Sequence, residues 1–150
     1  MWRRDSLPKA MQQTFEHKLP GRVEEIPTLL DSVEAWGQAV DLPPKALFRL
    51  NLVLEELATN IVSYGYKDRP EGVVDVSVVD DGALVTLTLR DRAAEFDPFK
   101  SAPKADFDEP DVRTRRVGGL GVHFVKQVAN SYAYRRAQEE NETVVTLPRR

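Results

Sequence analysis

Apolar positions along the first forty residues predict a strand followed by a helix. Residues 14–19 alternate between apolar and polar side chains, which is typical of a short strand, and Pro20-Gly21 ends it. Apolar residues then recur at helical spacing over residues 26–40, with Pro27 suited to the first turn of the helix. The prolines of residues 41–44 end this helix and begin another.

The second helix carries an apolar stripe with a polar ridge beside it. Each helical residue turns the chain by about 100°. This turn places the apolar side chains on one stripe: Leu50, Val53, Leu54, Leu57 and Ile61. The same geometry groups Glu56, Asn60 and Ser63 on the ridge, while Glu55 points to the far side. Gly65 is suited to cap the helix.

Two hairpins are predicted on either side of a long segment without periodicity. Residues 73–79 and 83–90 form the first, because Asp80-Asp81-Gly82 between them is a good turn signal. Residues 92–117 are rich in Pro, Asp, Lys and Arg. A structureless loop of that length in a compact domain is usually a functional lid or disordered.

The chain closes with a glycine-rich run, a helix and a hairpin. Gly118-Gly119-Leu120-Gly121 precedes an apolar helical stretch over residues 122–129. Residues 131–136 and 143–147 form the last hairpin, turned at residues 139–141. The order of elements predicts an α+β fold, a mainly antiparallel sheet with helices on one face. We expect a lead-in of residues 1–11 and one domain over residues 12–150.

Composition excludes several classes of site and partner. The sequence has no cysteine, so it has no disulfide and no thiolate nucleophile, and two histidines are too few for a His-rich metal cage. The net charge of −3 gives no overall attraction to nucleic acid. No apolar run approaches the ~20 residues of a membrane helix, and no signal peptide is evident. We therefore expect a cytoplasmic protein without nucleic-acid or membrane partners.

Glu56 and Asn60 form the first candidate constellation. They lie four residues apart and therefore share one helix face. A single Asn carbonyl together with phosphate oxygens suits Mg²⁺, which takes few protein ligands. A carboxylate one turn earlier can activate a hydroxyl for attack on a γ-phosphate. Taken alone, the pair fits a solvated helix face more readily.

Two further motifs have the chemistry of a nucleotide site. Asp91, at the end of a predicted strand, can accept a hydrogen bond from the exocyclic amine of adenine. Glycines of residues 118–121 allow backbone N–H groups to approach phosphates. This run is neither a Walker A loop nor a dinucleotide fingerprint. Taken alone, the first motif also fits a solvated turn, and the second also fits a flexible hinge.

Together, the three motifs resemble one family over roughly residues 12–148. Residues 54–66 are similar to the N-box of GHKL ATPases, residues 91–99 to the G1 box and residues 118–125 to the G2 box. The Phe-Asp-Pro ending of the G1 box is typical of the anti-sigma-factor serine/threonine kinase branch. The resemblance implies a Bergerat-type ATP-binding sandwich with an ATP lid at about residues 92–118.

The resemblance also implies roles for individual residues. Glu56 would be the catalytic base and Asn60 the Mg²⁺ ligand. Asp91 would hold the adenine amine, with Ala93 and Phe96 beside it in the ATP site. The phosphates would face residues 118–121: Gly118 as a lid hinge, Gly119 and Gly121 in the turn, and Leu120 between them. Arg115 or Arg116 would reach the γ-phosphate.

The sequence departs from the branch at three positions. The family usually has glycine at the position of Ala93, often has proline at the position of Glu95, and commonly has histidine at the position of Tyr64. A Cβ at residue 93 restricts positive φ, and Glu95 places a negative charge near a polyphosphate site. These departures bear on nucleotide affinity and leave the base and the metal ligand in place.

Three functions compete on this evidence. The leading hypothesis is a kinase that phosphorylates a serine of an anti-anti-sigma-type protein and sequesters a sigma factor, with a homodimer among the expected assemblies. The alternative is a non-catalytic ATP-binding module that changes its affinity for partner proteins. The third, a histidine-kinase catalytic domain, would need an upstream dimerisation helix, for which residues 1–11 are too short. The larger gyrase-, chaperone- and mismatch-repair-type relatives need further domains.

Overall fold

In the described part of the chain, five strands form one antiparallel sheet. The computed structural model describes residues 11–101 and 118–150, without the side chains of residues 101 and 118–120. The strands are β1 (Gln13–Pro20), β2 (Val73–Asp80), β3 (Leu84–Asp91), β4 (Ser131–Ala137) and β5 (Glu140–Pro148), in the sheet order β1-β2-β3-β5-β4. The helices are α1 (Ile26–Ala39), α2 (Pro44–Asn60), α3 (Pro98–Ser101) and α4 (Gly118–Val128). The α+β class predicted from the sequence is confirmed.

The core lies between one face of the sheet and the helices. Alternate residues of β2, β3 and β5 are buried, as the period of two in their apolar positions requires. The predicted stripe of α2 packs against this face: Leu50, Val53, Leu54 and Leu57 are at most 1% exposed. Within the described residues, none of the helices is both long and apolar enough to cross a membrane.

Residues 61–65 continue α2 as a π-helical turn. The backbone N–H of Tyr66 donates to the carbonyl of Ile61 at 2.9 Å, five residues back. Gly65 does not cap the helix in the left-handed conformation, because its φ is not positive. Among the described glycines, only Gly82 has a positive φ. Gly65 is instead required by space: a Cβ there would lie 2.9 Å from the Cβ of Ala93. Single π-turns are frequent at functional sites.

The final hairpin turns one residue earlier than the sequence indicates, and its second strand begins three residues earlier. Its two-residue turn is Gln138 and Glu139, with φ of 53° and 63°, the positive values that a type I′ turn demands. β5 therefore begins at Glu140. The extra strand residues pair with β3, where Asn141 lies opposite Asp91. The prediction failed because neither turn residue is one of the glycines or asparagines that usually mark such a turn.

Part of the segment without periodicity is helical. Pro98–Ser101 form α3, whose first turn is capped by Asp97, since Phe99 N donates to Asp97 Oδ1 at 2.9 Å. The helix is held against the rest of the fold by Phe99, whose ring lies 4.7 Å from that of Tyr132. Residues 102–117, including Arg115 and Arg116, lie outside the described residues, as do residues 1–10.

Replacing Glu139 with glycine is expected to stabilise the protein. A non-glycine residue in the left-handed region costs on the order of 1 kcal/mol, a cost that glycine does not have. We expect the free energy of unfolding to rise by about 0.5–1 kcal/mol, measured by urea titration. The control is Ala137→Gly, where β4 is extended. That substitution should destabilise the protein, and a loss of stability in both variants would contradict the turn assignment.

Candidate active site

Glu56 and Asn60 lie side by side on the last turns of α2. The amide nitrogen of Asn60 donates to Glu56 Oε2 at 2.7 Å. Asn60 is 3% exposed and Glu56 is half-buried, while Glu55 is exposed. Burial raises the pKa of Glu56, and the hydrogen bond from Asn60 partly opposes this. A carboxylate with a raised pKa is a stronger base, as proton abstraction requires.

Gly121 of α4 approaches the carboxylate of Glu56 so closely that a Cβ there would require the carboxylate to move. A Cβ at Gly121 would overlap the carboxylate oxygen and carbon. The glycine-rich run was predicted to precede the helix, whereas residues 118–121 form the first turn of α4. The sequence could not show this, because glycine has a low helix propensity. The first turn of α4 therefore reaches Glu56 at Gly121.

Asp91 is buried at the end of β3, with one of its carboxylate oxygens already engaged. It is 4% exposed. Its Oδ1 accepts hydrogen bonds from the backbone N–H of Ala93 at 3.0 Å and from the amide of Asn141 at 2.8 Å. Burial raises the pKa of Asp91, and these hydrogen bonds oppose the shift. Such a carboxylate accepts hydrogen bonds and does not face bulk solvent.

Ala93 occupies its position without backbone strain. Its φ is not positive, and its side chain is 1% exposed, packed towards Gly65. The space beside Gly65 therefore accommodates the Cβ of the alanine that stands at the usual glycine position. Glu95 is exposed, so its charge is solvated and screened. Neither departure strains the backbone of the described residues.

Asn141 is a site residue that the sequence prediction missed. It is 2% exposed, and besides Asp91 its amide nitrogen donates to the carbonyls of Ala93 at 3.3 Å and Ala94 at 3.1 Å. Its amide oxygen accepts from Tyr134 Oη and from Arg136 Nη1. The only sequence signal would have been its register opposite Asp91, which the misplaced turn concealed.

The loop after β3 is held from both sides. Phe96 contacts Tyr64 of the π-turn, with ring centroids 6.0 Å apart, and its backbone N–H donates to Tyr134 Oη at 3.3 Å. The hydroxyl of Tyr66 accepts from the backbone N–H of Arg92 at 2.9 Å and donates to the carbonyl of Val73 at 2.8 Å. Phe96 thus lies next to the π-helical turn that follows α2.

The structure arranges the predicted residues in two neighbouring groups. Glu56, Asn60 and Gly121 form one group, and a groove of about 420 Å³ between α2 and α4 borders it. Asp91, Ala93 and Phe96 form the other, on the loop that follows β3. The π-turn connects the two groups, since it follows Asn60 and its Tyr64 and Gly65 contact the second. Gly118, Gly119 and Leu120 begin α4.

The donor set fits a cation that takes few protein ligands. The described residues contain no group of three or more His, Asp or Glu side chains able to enclose a metal ion. Asn60 uses its amide nitrogen on Glu56, so its amide oxygen is the atom available to a cation. One such oxygen, completed by phosphate oxygens and water, is the coordination that Mg²⁺ accepts.

Comparison with known families agrees with this arrangement. Residues 19–147 match the model of the histidine kinase-like ATPase domain. The chain belongs to this family of ATPase domains, and membership implies an ATP-binding site. The match covers all three motifs, from the α2 pair to the glycine-rich run that begins α4.

Two curated relatives are anti-sigma F factors. Those of Bacillus cytotoxicus and Bacillus thuringiensis are 27% and 28% identical over 122 residues, covering 68% of this chain and 84% of each relative. They confirm the resemblance to the anti-sigma kinase branch. A crystal structure of RsbU and RsbW domains from Mycobacterium tuberculosis superposes with a TM-score of 0.62 at 14% identity. It covers 92% of this chain, which spans 33% of that longer chain, and it supports the fold.

Proposed function

We propose that the chain is an ATP-dependent serine/threonine protein kinase that acts as an anti-sigma factor. The observation that carries the proposal is the hydrogen-bonded pair of Glu56 and Asn60 beneath Gly121. The pair sets a base with a raised pKa next to a hard oxygen ligand and the N-terminus of a helix. Phosphoryl transfer needs these groups together, because its catalysis consists mainly of positioning and charge stabilisation.

Each predicted residue has a task in binding Mg·ATP. Asp91 would accept a hydrogen bond from the adenine amine, with Ala93 and Phe96 beside the base. Asn60 would ligate Mg²⁺, which neutralises charge that develops on the phosphates. The backbone N–H groups of residues 118–121 would face the phosphates, where the positive end of the α4 dipole favours anions. Arg115 or Arg116 would contact the γ-phosphate.

Glu56 would act on the hydroxyl group of the protein substrate. Among the described residues, the hydrogen bond from Asn60 ends on Oε2, while Oε1 lies against Gly121 and accepts none. We assign the proton to Oε1. As the serine oxygen bonds to the γ-phosphorus, its proton passes to Glu56 and the bond to the bridging oxygen of ADP breaks. Asn60 would keep the carboxylate oriented, and its own amide oxygen would hold the cation.

The proposed partners follow from the relatives. Proteins named anti-sigma F factor are similar to this chain over most of its length. We propose a sigma factor as the sequestered partner, an anti-anti-sigma-type protein as the phosphorylated one, and a cytoplasmic homodimer as the assembly. The alternative, a non-catalytic ATP-binding module, was suggested by Ala93 and Glu95. This reason for the alternative is weakened, because Ala93 is unstrained and Glu95 is exposed to solvent.

Transfer of labelled γ-phosphate decides between these two functions. The purified chain is incubated with Mg²⁺, γ-labelled ATP and an anti-anti-sigma-type protein from the same genome. We expect label on a serine of that protein, and no label when the serine is replaced by alanine. Nucleotide binding without any labelled protein, across all such partners of the genome, would favour the non-catalytic module.

A further inference from the structure

We infer that Asn141 is a positioning residue that orients the carboxylate of Asp91 and so sets the preference for a 6-amino purine. The inference rests on the proposed nucleotide site and adds a residue to it. Asn141 belongs to β5, at the position opposite Asp91 in the β3–β5 pairing. Both side chains are buried, at 2% and 4% exposure, so their hydrogen bonds do not compete with bulk water.

The orientation of the Asn141 amide is fixed by its neighbours. Two donors, Tyr134 Oη and Arg136 Nη1, reach its oxygen. Three acceptors surround its nitrogen: Asp91 Oδ1 and the carbonyls of Ala93 and Ala94. A flipped amide would set its oxygen against all three acceptors and its nitrogen against the guanidinium of Arg136, which cannot accept a hydrogen bond. The amide therefore has one stable orientation, in which it donates to Asp91.

This donation makes the two oxygens of Asp91 unequal. Both hydrogen bonds that Asp91 accepts from described residues, from Asn141 and from the backbone of Ala93, end on Oδ1. Oδ2 receives no hydrogen bond from the described part of the chain. The carboxylate cannot rotate without losing both bonds to Oδ1. Oδ2 is thus held as the acceptor for a donor on the ligand, such as the exocyclic amine of adenine.

The same hydrogen bonds connect Asp91 to the loop that follows it. Arg136 Nη1 donates to the carbonyl of Ala93 at 2.7 Å, next to the bonds from Asn141. Residues of the β4–β5 hairpin thereby hold the loop and the Asp91 carboxylate together, and this fixes the direction in which Oδ2 points. A 6-oxo purine would present an acceptor to Oδ2 and be disfavoured, and a 6-unsubstituted purine would present nothing.

Asn141→Asp is the sharpest test because it keeps the shape of the side chain. An aspartate can still accept from Tyr134 and Arg136, but it no longer offers an amide to Asp91 and places a second carboxylate beside it. The full chain is titrated with ATP and with purine riboside triphosphate, which lacks the 6-amino group. Wild-type protein should bind ATP about tenfold more tightly or better, since hydrogen bonds to charged groups are worth that much.

In Asn141→Asp, we expect this ratio to fall towards one while the affinity for purine riboside triphosphate stays nearly unchanged. A merely structural role would weaken both nucleotides alike and keep the ratio. The matched control is Asn130→Asp, an exposed asparagine bonded to Thr146 at the far end of the hairpin, which should keep the wild-type ratio. If Asn141→Asp does not fold, Tyr134→Phe removes one donor that fixes the amide and should lower the ratio in the same direction.

An unchanged ratio in Asn141→Asp, or in Tyr134→Phe when only that variant folds, overturns the inference and leaves the proposed function standing. Equal affinity of wild-type protein for both nucleotides also overturns it, because Asp91 would then not contact the amine. If wild-type protein binds neither nucleotide, the proposed function fails and the inference fails with it.

Discussion

Replacing Glu56 with glutamine is expected to lower the rate of phosphoryl transfer by about 10²–10⁴-fold, the usual contribution of a general base. Glutamine keeps the volume of the side chain, and its carbonyl oxygen can still accept the hydrogen bond from Asn60. It cannot take a proton from the serine hydroxyl. Single-turnover transfer from labelled ATP measures the loss, and calorimetry of ATP binding should show little change.

Glu55 supplies the matched control for this experiment. It is the neighbouring glutamate on the same helix, it is exposed, and the side-chain amide of Asn60 donates to Glu56 and not to it. Glu55→Gln changes the net charge by the same amount, so it corrects for any general electrostatic effect on ATP or on the partner. Equal losses in both variants, or none in Glu56→Gln, would remove Glu56 from the role of base.

The pH dependence of phosphoryl transfer should reflect the raised pKa of Glu56. The base must be ionised, so the rate falls as pH decreases through its pKa. Burial raises that pKa above 4.5, the ordinary value, which places the acid limb at a higher pH than a solvent-exposed glutamate would give. A limb at or below the ordinary value would contradict the burial of the carboxylate.

Gly121→Ala is expected to destabilise the protein by about 1–3 kcal/mol, the usual cost of overpacking. In an unobstructed helix the same change would stabilise by about 0.5–1 kcal/mol, because alanine is the better helix former. The sign is reversed here because the new Cβ would overlap the Glu56 carboxylate, so that this side chain gives up its hydrogen bond from Asn60 or α4 moves away from α2. Urea unfolding measures the change in the free energy of unfolding.

A double-mutant cycle separates this overlap from a general effect of the substitution. When Glu56 is alanine, the space beside residue 121 is open, and Gly121→Ala should become neutral or stabilising. Glu55→Ala is the matched control background, in which the destabilisation should persist. Additive effects in the Glu56→Ala background would contradict the contact between the two helices.

Most of the fold could be predicted because its apolar pattern is regular. The stripe of α2 and the alternation in β2 and β3 agree with the elements that the structure shows. The errors fall where backbone conformation departs from the usual preference of the residues. Glu139 takes positive φ in a turn without glycine, and Gly118 and Gly119 lie inside a helix.

Only those site residues could be related to one another from the sequence that lie close together along the chain. Glu56 and Asn60 share a helix face by arithmetic, and the structure adds the hydrogen bond between them. Asn141 could not be found in this way, because its partner Asp91 is 50 residues away along the chain and register decides their contact. The need for glycine at residue 65 could not be predicted either, because it depends on the close approach of Ala93, which is distant in sequence.

The most direct test of the account is a calorimetric titration of the full chain with ATP, with and without Mg²⁺, beside Asn60→Ala. We expect saturable binding that Mg²⁺ strengthens in wild-type protein. In Asn60→Ala we expect the strengthening by Mg²⁺ to be lost while metal-free binding remains. No binding at millimolar ATP, or an undiminished effect of Mg²⁺ in Asn60→Ala, would contradict the assignment of this site.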